Sequence, residues 1–198
     1  MRLDLYQLAH TLKDKVPFVW DAIEKINEWL FVLQYGRKVQ NVIVRSVPEG
    51  YEILKMREVN TEKIVAFFEH QPKEAFKFFN PHKFDEKSVR RLQKNRSYLA
   101  YLLVDKANGQ IAGYCFNRCF FQGKGFRGRM VDVGYRGKGL GTAMNKILNE
   151  TGFGIGLRLY ETVSKDNVAS YRSALSASNV KVVKEMEDNE LYLEILPE

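Results

Sequence analysis

Between Gly123 and Gly141 lie seven glycines and five basic residues: Lys124, Arg127, Arg129, Arg136 and Lys138. Glycine lets backbone N–H groups approach an anion closely, and a helix N-terminus adds about half a positive charge through its aligned peptide dipoles. The chemistry such a stretch can do is to cradle a diphosphate. The clearest place is residues 135–142, YRGKGLGT, where a valine-rich run gives way to an amphipathic pattern and Arg136 and Lys138 add full charges.

Three other uses of these residues compete. The phosphate loop of nucleoside triphosphatases is excluded because Leu140, not Lys, follows Gly139. Gly123-Lys124-Gly125-Phe126-Arg127-Gly128 matches the dinucleotide pattern in letters, but strand-like residues follow it and no acidic residue ends a second strand downstream, so it reads as a chance match. The five cations could also contact nucleic-acid phosphates; the loop lacks the interleaved aromatics of a single-strand platform, and no nucleic-acid partner is expected.

The elements that must position this loop follow from periodicity. Two helical patterns occupy residues 2–33, the second starting at Pro17, placing Trp20, Ile23, Ile26, Leu30 and Leu33 on one face and ending at Gly36. Strands are expected at 42–44 and 53–59, then a helix capped by Asn60 or Thr61 and one helix or two short ones from Pro72 to Leu92. Residues 98–104 and 111–121 flank an Asn108-Gly109 turn and read as a hairpin. A strand at 130–133 precedes the glycine loop, followed by a helix from Leu140 stopping at Gly152, a strand at 157–163, a helix at 167–177 and a last hairpin of 180–186 with 191–195.

Length and composition set limits. The chain has 198 residues, 45% of them hydrophobic, and a formal charge of +7, which suits a globular protein with an anionic ligand. Cys115 and Cys119, four apart in a strand, read as buried thiols, not a disulfide. No apolar stretch approaches the roughly 20 residues needed to span a bilayer, and no signal peptide is evident, so the expectation is a cytoplasmic protein without membrane contact.

With that order in place, residues 131–141, VDVGYRGKGLG, resemble the cofactor motif of the GNAT superfamily of acyl-CoA-dependent N-acyltransferases: Arg136, Gly139 and Gly141 fill its Arg/Gln-x-x-Gly-x-Gly/Ala signature. The succession strand, two helices, hairpin, strand, loop and helix, strand, helix, hairpin also resembles that family. The resemblance implies a mixed α/β fold with a central, mostly antiparallel sheet flanked by helices. It divides the chain into an N-terminal helical extension, 1–50, packing on an acetyltransferase domain, 51–198. It implies acetyl-CoA as cosubstrate without a metal, bound by Met130, Val131, Arg136, Gly137, Lys138, Gly139, Leu140, Gly141, Thr142 and Asn167. The family often has proline three residues before the arginine, where it helps splay the strand; Val133 stands there, and Gly134 is expected to permit a bulge instead.

Acyl transfer from a thioester needs a free amine, a donor for the developing oxyanion and a proton source for the leaving thiolate. The backbone N–H of Val131 is the candidate donor. The family's thiolate-protonating tyrosine falls seven residues after a helix-opening Asn, which here is Ala174; Tyr171, one turn earlier, is the candidate acid, with simple packing as its competing role. Glu161 is the candidate base, with pairing to a cation equally expected, and water is an alternative carrier. His82 follows a proline turn between the helices that wall the acceptor site in such proteins. Six of the 13 phenylalanines lie between Phe67 and Phe84, most of them expected in core.

The expected reaction is acetylation of a primary amine on a small molecule or a protein. A short likeness of the Phe79-Asn80-Pro81-His82 segment to family members acting on nucleotide-linked amino sugars makes an amino sugar the first acceptor to consider. The alternative is a catalytically idle acyl-CoA-binding module. The apolar faces of the extension suit packing on the sheet, a homodimer contact or part of the acceptor site.

Overall fold

The computed structural model describes residues 17–187 and 189–197. In chain order its elements are α1 (Pro17–Asn41), β1 (Tyr51–Lys55), α2 (Thr61–Glu69), α3 (Glu86–Lys94), β2 (Tyr98–Asp105), β3 (Ile111–Phe120), β4 (Lys124–Val131), α4 (Leu140–Gly154), β5 (Arg158–Ser164), α5 (Val168–Leu175), β6 (Asn179–Glu185) and β7 (Glu190–Leu196). The first helical pattern, residues 2–16, lies outside the described residues.

Seven strands form one sheet in the order β1-β2-β3-β4-β5-β7-β6, antiparallel everywhere except between β4 and β5. That parallel contact is short: it pairs Lys124–Gly125–Phe126 with Arg158–Leu159–Tyr160 and goes no further. Beyond Phe126 and Tyr160 the two strands diverge. The splay therefore forms with Val133 in place of proline, and no bulge accompanies it: residues Val133–Tyr135 make a turn of 3-10 helix, with Gly134 in its middle.

Each face of the sheet carries its own core. One is built from α1, α4 and the alternate strand residues that meet them, among them Phe31, Leu103, Cys115, Leu140, Ile147, Leu159 and Leu193. The other packs α2 and α3 on Met56, Leu102, Tyr114, Phe116 and Met130. Local chemistry fixes the ends of the elements. Asn60, Asp85 and Asn167 cap α2, α3 and α5 by accepting N–H bonds from Glu62, Ser88 and Ser170. Asn108 turns the β2–β3 hairpin beside Gly109, whose φ of +69° is the left-handed conformation glycine permits.

Several boundaries differ from the sequence expectation. α1 does not stop at Gly36 but runs five residues past it, because Phe31 and Tyr35 before it are buried and Val39 after it packs against the same core. A glycine there costs the helix about 1 kcal/mol, which this packing outweighs. The expected face of α1 is the wrong one. Ile26 is 57% and Leu33 74% exposed, whereas the sheet receives Asn27, Phe31 and Tyr35; Asn27 bonds to the Cys119 carbonyl, the Ser97 hydroxyl and the Phe121 N–H. Both sides of the helix are apolar, so periodicity alone did not orient it.

Residues 42–44 form no strand; they belong to an extended strap crossing α4, where Glu150 accepts the N–H groups of Arg45 and Ser46 and the Ser46 hydroxyl. β1 ends at Lys55, before a 3-10 turn at Met56–Glu58, and β4 starts at Lys124, not Met130. α4 passes Gly152, which faces β5: a Cβ there would lie 2.5 Å from Leu159 Cδ2. The thiols of Cys115 and Cys119 are free and buried, and burial pushes Cys115 up to about 12, so neither is a nucleophile at neutral pH.

Gly152→Val tests the contact between α4 and β5. It forces Leu159 out of its place and is expected to lower unfolding free energy by about 2 kcal/mol or more in urea titration.

Candidate functional site

The site is assembled where β4 leaves β5. Asp132 N–H donates to Ala112 O at 3.0 Å on β3, and backbone groups alternate along a strand, so the N–H of Val131 and of Arg129 point the other way, into the gap. Met130, by contrast, turns its backbone toward β3 and buries its side chain with α2 and α3. Of the two residues expected to meet a cosubstrate arm, Val131 is the one with free backbone on that edge.

The loop that follows is anchored at both ends. Gln71, at the end of α2, donates through Nε2 to Asp132 Oδ2 and accepts the Val133 N–H at 3.2 Å through Oε1. Asp132 Oδ1 accepts the Gly134 N–H at 2.8 Å, closing the turn. Tyr135 is buried and donates its hydroxyl to Asp105 Oδ2 at 3.0 Å while accepting from Asn108, which ties the loop to the β2–β3 hairpin. Neither Gln71 nor Asp132 was singled out in sequence. An Asp two residues before a glycine is a readable turn signal, whereas Gln71 comes from 61 positions away.

Between these anchors Arg136, Gly137, Lys138 and Gly139 are exposed. Gly137 and Gly139 take φ of +77° and +75°, and Gly139 occupies the N-cap of α4 without a side-chain cap. The first N–H groups of α4 are therefore open to an anion, with no acidic residue in the first turn to compete. Lys138 lies with its Nζ 4.7 Å from the centre of the Tyr135 ring. Gly141 faces α5: a Cβ there would come 3.1 Å from Ser173 Oγ. Residues 136–139 thus form an exposed turn leading into α4, whereas Leu140 buries its side chain in the core and Gly141 packs against α5.

Beneath the gap sits a buried ion cluster: Glu161 pairs with cations, the alternative expected equally with its role as base, and which two arginines it pairs with is what the sequence did not name. Glu161 Oε2 accepts from Arg127 Nε at 2.7 Å and from Arg129 Nη1 at 3.1 Å; Arg127 also reaches Asn149 on α4, and Arg129 reaches the Ser170 carbonyl on α5 at 2.7 Å. These are the residues that follow the last β4–β5 pair, so their side chains fill the space where the strands part. Burial would raise the Glu161 carboxyl, but Arg127 and Arg129 outweigh it and hold it below its ordinary value. A carboxylate in that position pairs cations and is a poor proton acceptor. The same burial removes Arg127 and Arg129 from the exposed basic loop that a nucleic-acid contact would need.

His82 is also committed to the protein. Its Nδ1 lies 2.8 Å from the Lys83 carbonyl, which only a donor can satisfy, so Nε2 accepts from Tyr114 Oη at 3.0 Å; Tyr114 in turn meets Tyr98 Oη at 2.7 Å. Phe68, Phe84 and Phe116 surround the chain. Burial lowers the histidine below its ordinary value and raises both tyrosines, so all three are neutral. Phe67, Phe68, Phe76, Phe79 and Phe84 pack in this core, Phe78 is exposed, and His82 pins the segment to β3. Tyr171, half-buried on α5, makes no side-chain hydrogen bond among the described residues, and Asn167 spends its Oδ1 on the Ser170 N–H.

A strand that opens from its neighbour and runs through a glycine turn into an uncapped helix N-terminus is the geometry that the site presents. The sequence profile described as "Acetyltransferase (GNAT) family" matches residues 64–174, and the chain belongs to that family. A search of curated proteins returns no match. Among solved structures, the GNAT domain of S. lividans PAT has a TM-score of 0.63 at 14% identity, covering 73% of this chain and 89% of that one. AAC(6')-Ib in complex with paromomycin and acetyl-CoA has 0.56 at 14% identity, covering 74% and 93%. The ribosomal-protein-S5-alanine acetyltransferase of Vibrio fischeri has 0.57 at 17% identity, covering 74% and 92%. At these identities the likeness shows the fold. No helix among the described residues is long and apolar enough to cross a membrane.

Two predictions follow from the buried groups. Glu161→Gln leaves two guanidinium groups without their counter-charge and is expected to cost about 3 kcal/mol or more in denaturant unfolding. His82 is neutral when folded and protonates near 6.5 when unfolded, so the unfolded chain binds more protons below that pH. Its contribution is present above about pH 6.5 and is lost as pH falls toward the lowered folded value; the melting-temperature gap between wild type and His82→Gln should shrink from pH 7.5 to pH 5.

Proposed function

We propose that the protein is an N-acetyltransferase that moves an acetyl group from acetyl-CoA to a primary amine of a small molecule, an amino sugar first among them, or of a protein. The observation that carries this reading is the uncapped N-terminus of α4, preceded by the exposed Arg136–Gly139 turn and set beside the open edge of β4. In this reading residues 136–142 hold the diphosphate through backbone N–H groups and two cations. Val131 N–H supports the arm of the cosubstrate and the oxygen that gains charge as the amine nitrogen attacks the thioester carbon. Asn167 has its Nδ2 left to give to the same arm.

As the carbon–sulfur bond breaks, Tyr171 supplies the proton to the thiolate from a helix that packs against α4 through Ser173 and Asn145. Glu161 and His82 are spoken for, so water carries the proton lost by the amine. One similar structure is a complex with paromomycin and acetyl-CoA and another is named for a ribosomal protein, which keeps both small molecules and proteins in the proposal. The engagement of two of the three candidate catalytic side chains favours a second reading, a module that binds acetyl-CoA without turnover.

Acetyl-CoA should raise the melting temperature, and Arg136→Glu should remove that shift while the unliganded melting temperature stays the same. Absence of a shift at millimolar acetyl-CoA overturns the binding. CoA-SH release measured across amine acceptors separates the two readings: Tyr171→Phe should lower kcat at least tenfold with KM for acetyl-CoA unchanged, and binding without release for any amine supports the idle module.

A further inference from the structure

Away from the cradle, α1 and the β1–β2 edge of the sheet line a half-open cavity of about 280 Å³. Its floor is apolar, made by Phe31 and Val39 of α1 and by Leu99 and Tyr101 of β2. Its rim is basic: Lys55, Arg57 and Arg96 face a single carboxylate, Glu58. Lys55 takes that carboxylate at 3.7 Å, and neither Arg57 nor Arg96 makes an ion pair among the described residues. No residue of the cradle lines this space.

Gly36 is the second, independent observation. It lies inside α1 and lines the cavity, its φ is not positive, and a Cβ built on it would meet only Val32 Cγ1, 3.5 Å away on its own helix. Neither backbone conformation nor packing requires glycine there, although glycine weakens a helix interior. A side chain at this position would enter the cavity.

We propose that this cavity is a binding site for a small apolar anion, an aliphatic or aromatic body with a carboxylate head, held by Arg57 and Arg96 at the mouth and by Phe31, Val39, Leu99 and Tyr101 below. The guanidinium forks match a carboxylate in geometry, and the volume lies at the lower end of small-molecule pockets, which suits a ligand of octanoate size. The site is independent of the acetyl-transfer reading.

Calorimetric titration of the full chain with octanoate tests it. One saturable site is expected; Gly36→Leu, which projects a side chain into the cavity, should abolish it, and Arg57→Gln with Arg96→Gln should weaken it at least tenfold. Octylamine, equal in body and opposite in charge, should not bind. Val39→Phe fills the cavity from the next turn of α1 and decides the matter if Gly36→Leu does not fold. Absence of saturable heat at millimolar octanoate, affinity unchanged by filling the cavity, or equal binding of octylamine overturns the proposal. The acetyl-CoA thermal shift should be the same in every variant, so failure here leaves the cradle untouched.

Discussion

The divergence of β4 from β5 is the constraint on which the rest of the site depends. A buried strand edge must satisfy its N–H and C=O groups, and β4 satisfies those of its gap-facing residues by strand pairing only as far as Phe126. Past that point the edge is open to a ligand that can pair like a strand. Opening a parallel pair inside a sheet leaves a wedge of space, and the protein fills its base with Arg127, Glu161 and Arg129. Such a cluster is costly to desolvate, and it leaves Arg127 Nη2 and Glu161 Oε1 without hydrogen-bond partners among the described residues. Its hydrogen bonds to α4 and α5 join the four elements that surround the gap.

The cradle depends on that opening and on its anchors. A glycine turn with two left-handed residues has many accessible conformations, and it is held between Gln71 on one side and the β2–β3 hairpin on the other. Tyr135 is buried by this docking, which leaves Arg136 and Lys138 outward on a fixed base. The uncapped end of α4 then presents its N–H groups in a defined direction. Cations on the loop and cations under it do different work: the first are exposed to a ligand, the second neutralise a buried carboxylate.

α1 shows how tertiary packing overrides local signals. Its glycine reads as a stop and its outward stripe reads as a core face, yet the polar Asn27 meets the sheet beside Phe31 and Tyr35, because its amide satisfies both a carbonyl and an N–H at the end of β3. The cavity beside Gly36 is a product of the same arrangement, since it exists only where a helix lies across the sheet edge.

By itself the sequence determined the order of the elements from β1 onward, the two hairpins, the caps of α2 and α5 and the glycine turn before α4, because each rests on residues close together in the chain: Asn108-Gly109, Asn167 before Ser170, and 136–142. Family membership followed from the same short-range signals. Only the tertiary structure decided which charged side chains are chemical and which structural. Glu161 stood equally as a base or a partner to a cation until Arg127 and Arg129 came within hydrogen-bond reach, and His82 stood as a candidate beside the acceptor site until Tyr114 took its Nε2. The physical reason is range: capping and turn energies act over a few residues, whereas burial, pairing and proton affinity are set by neighbours 30 or more positions away.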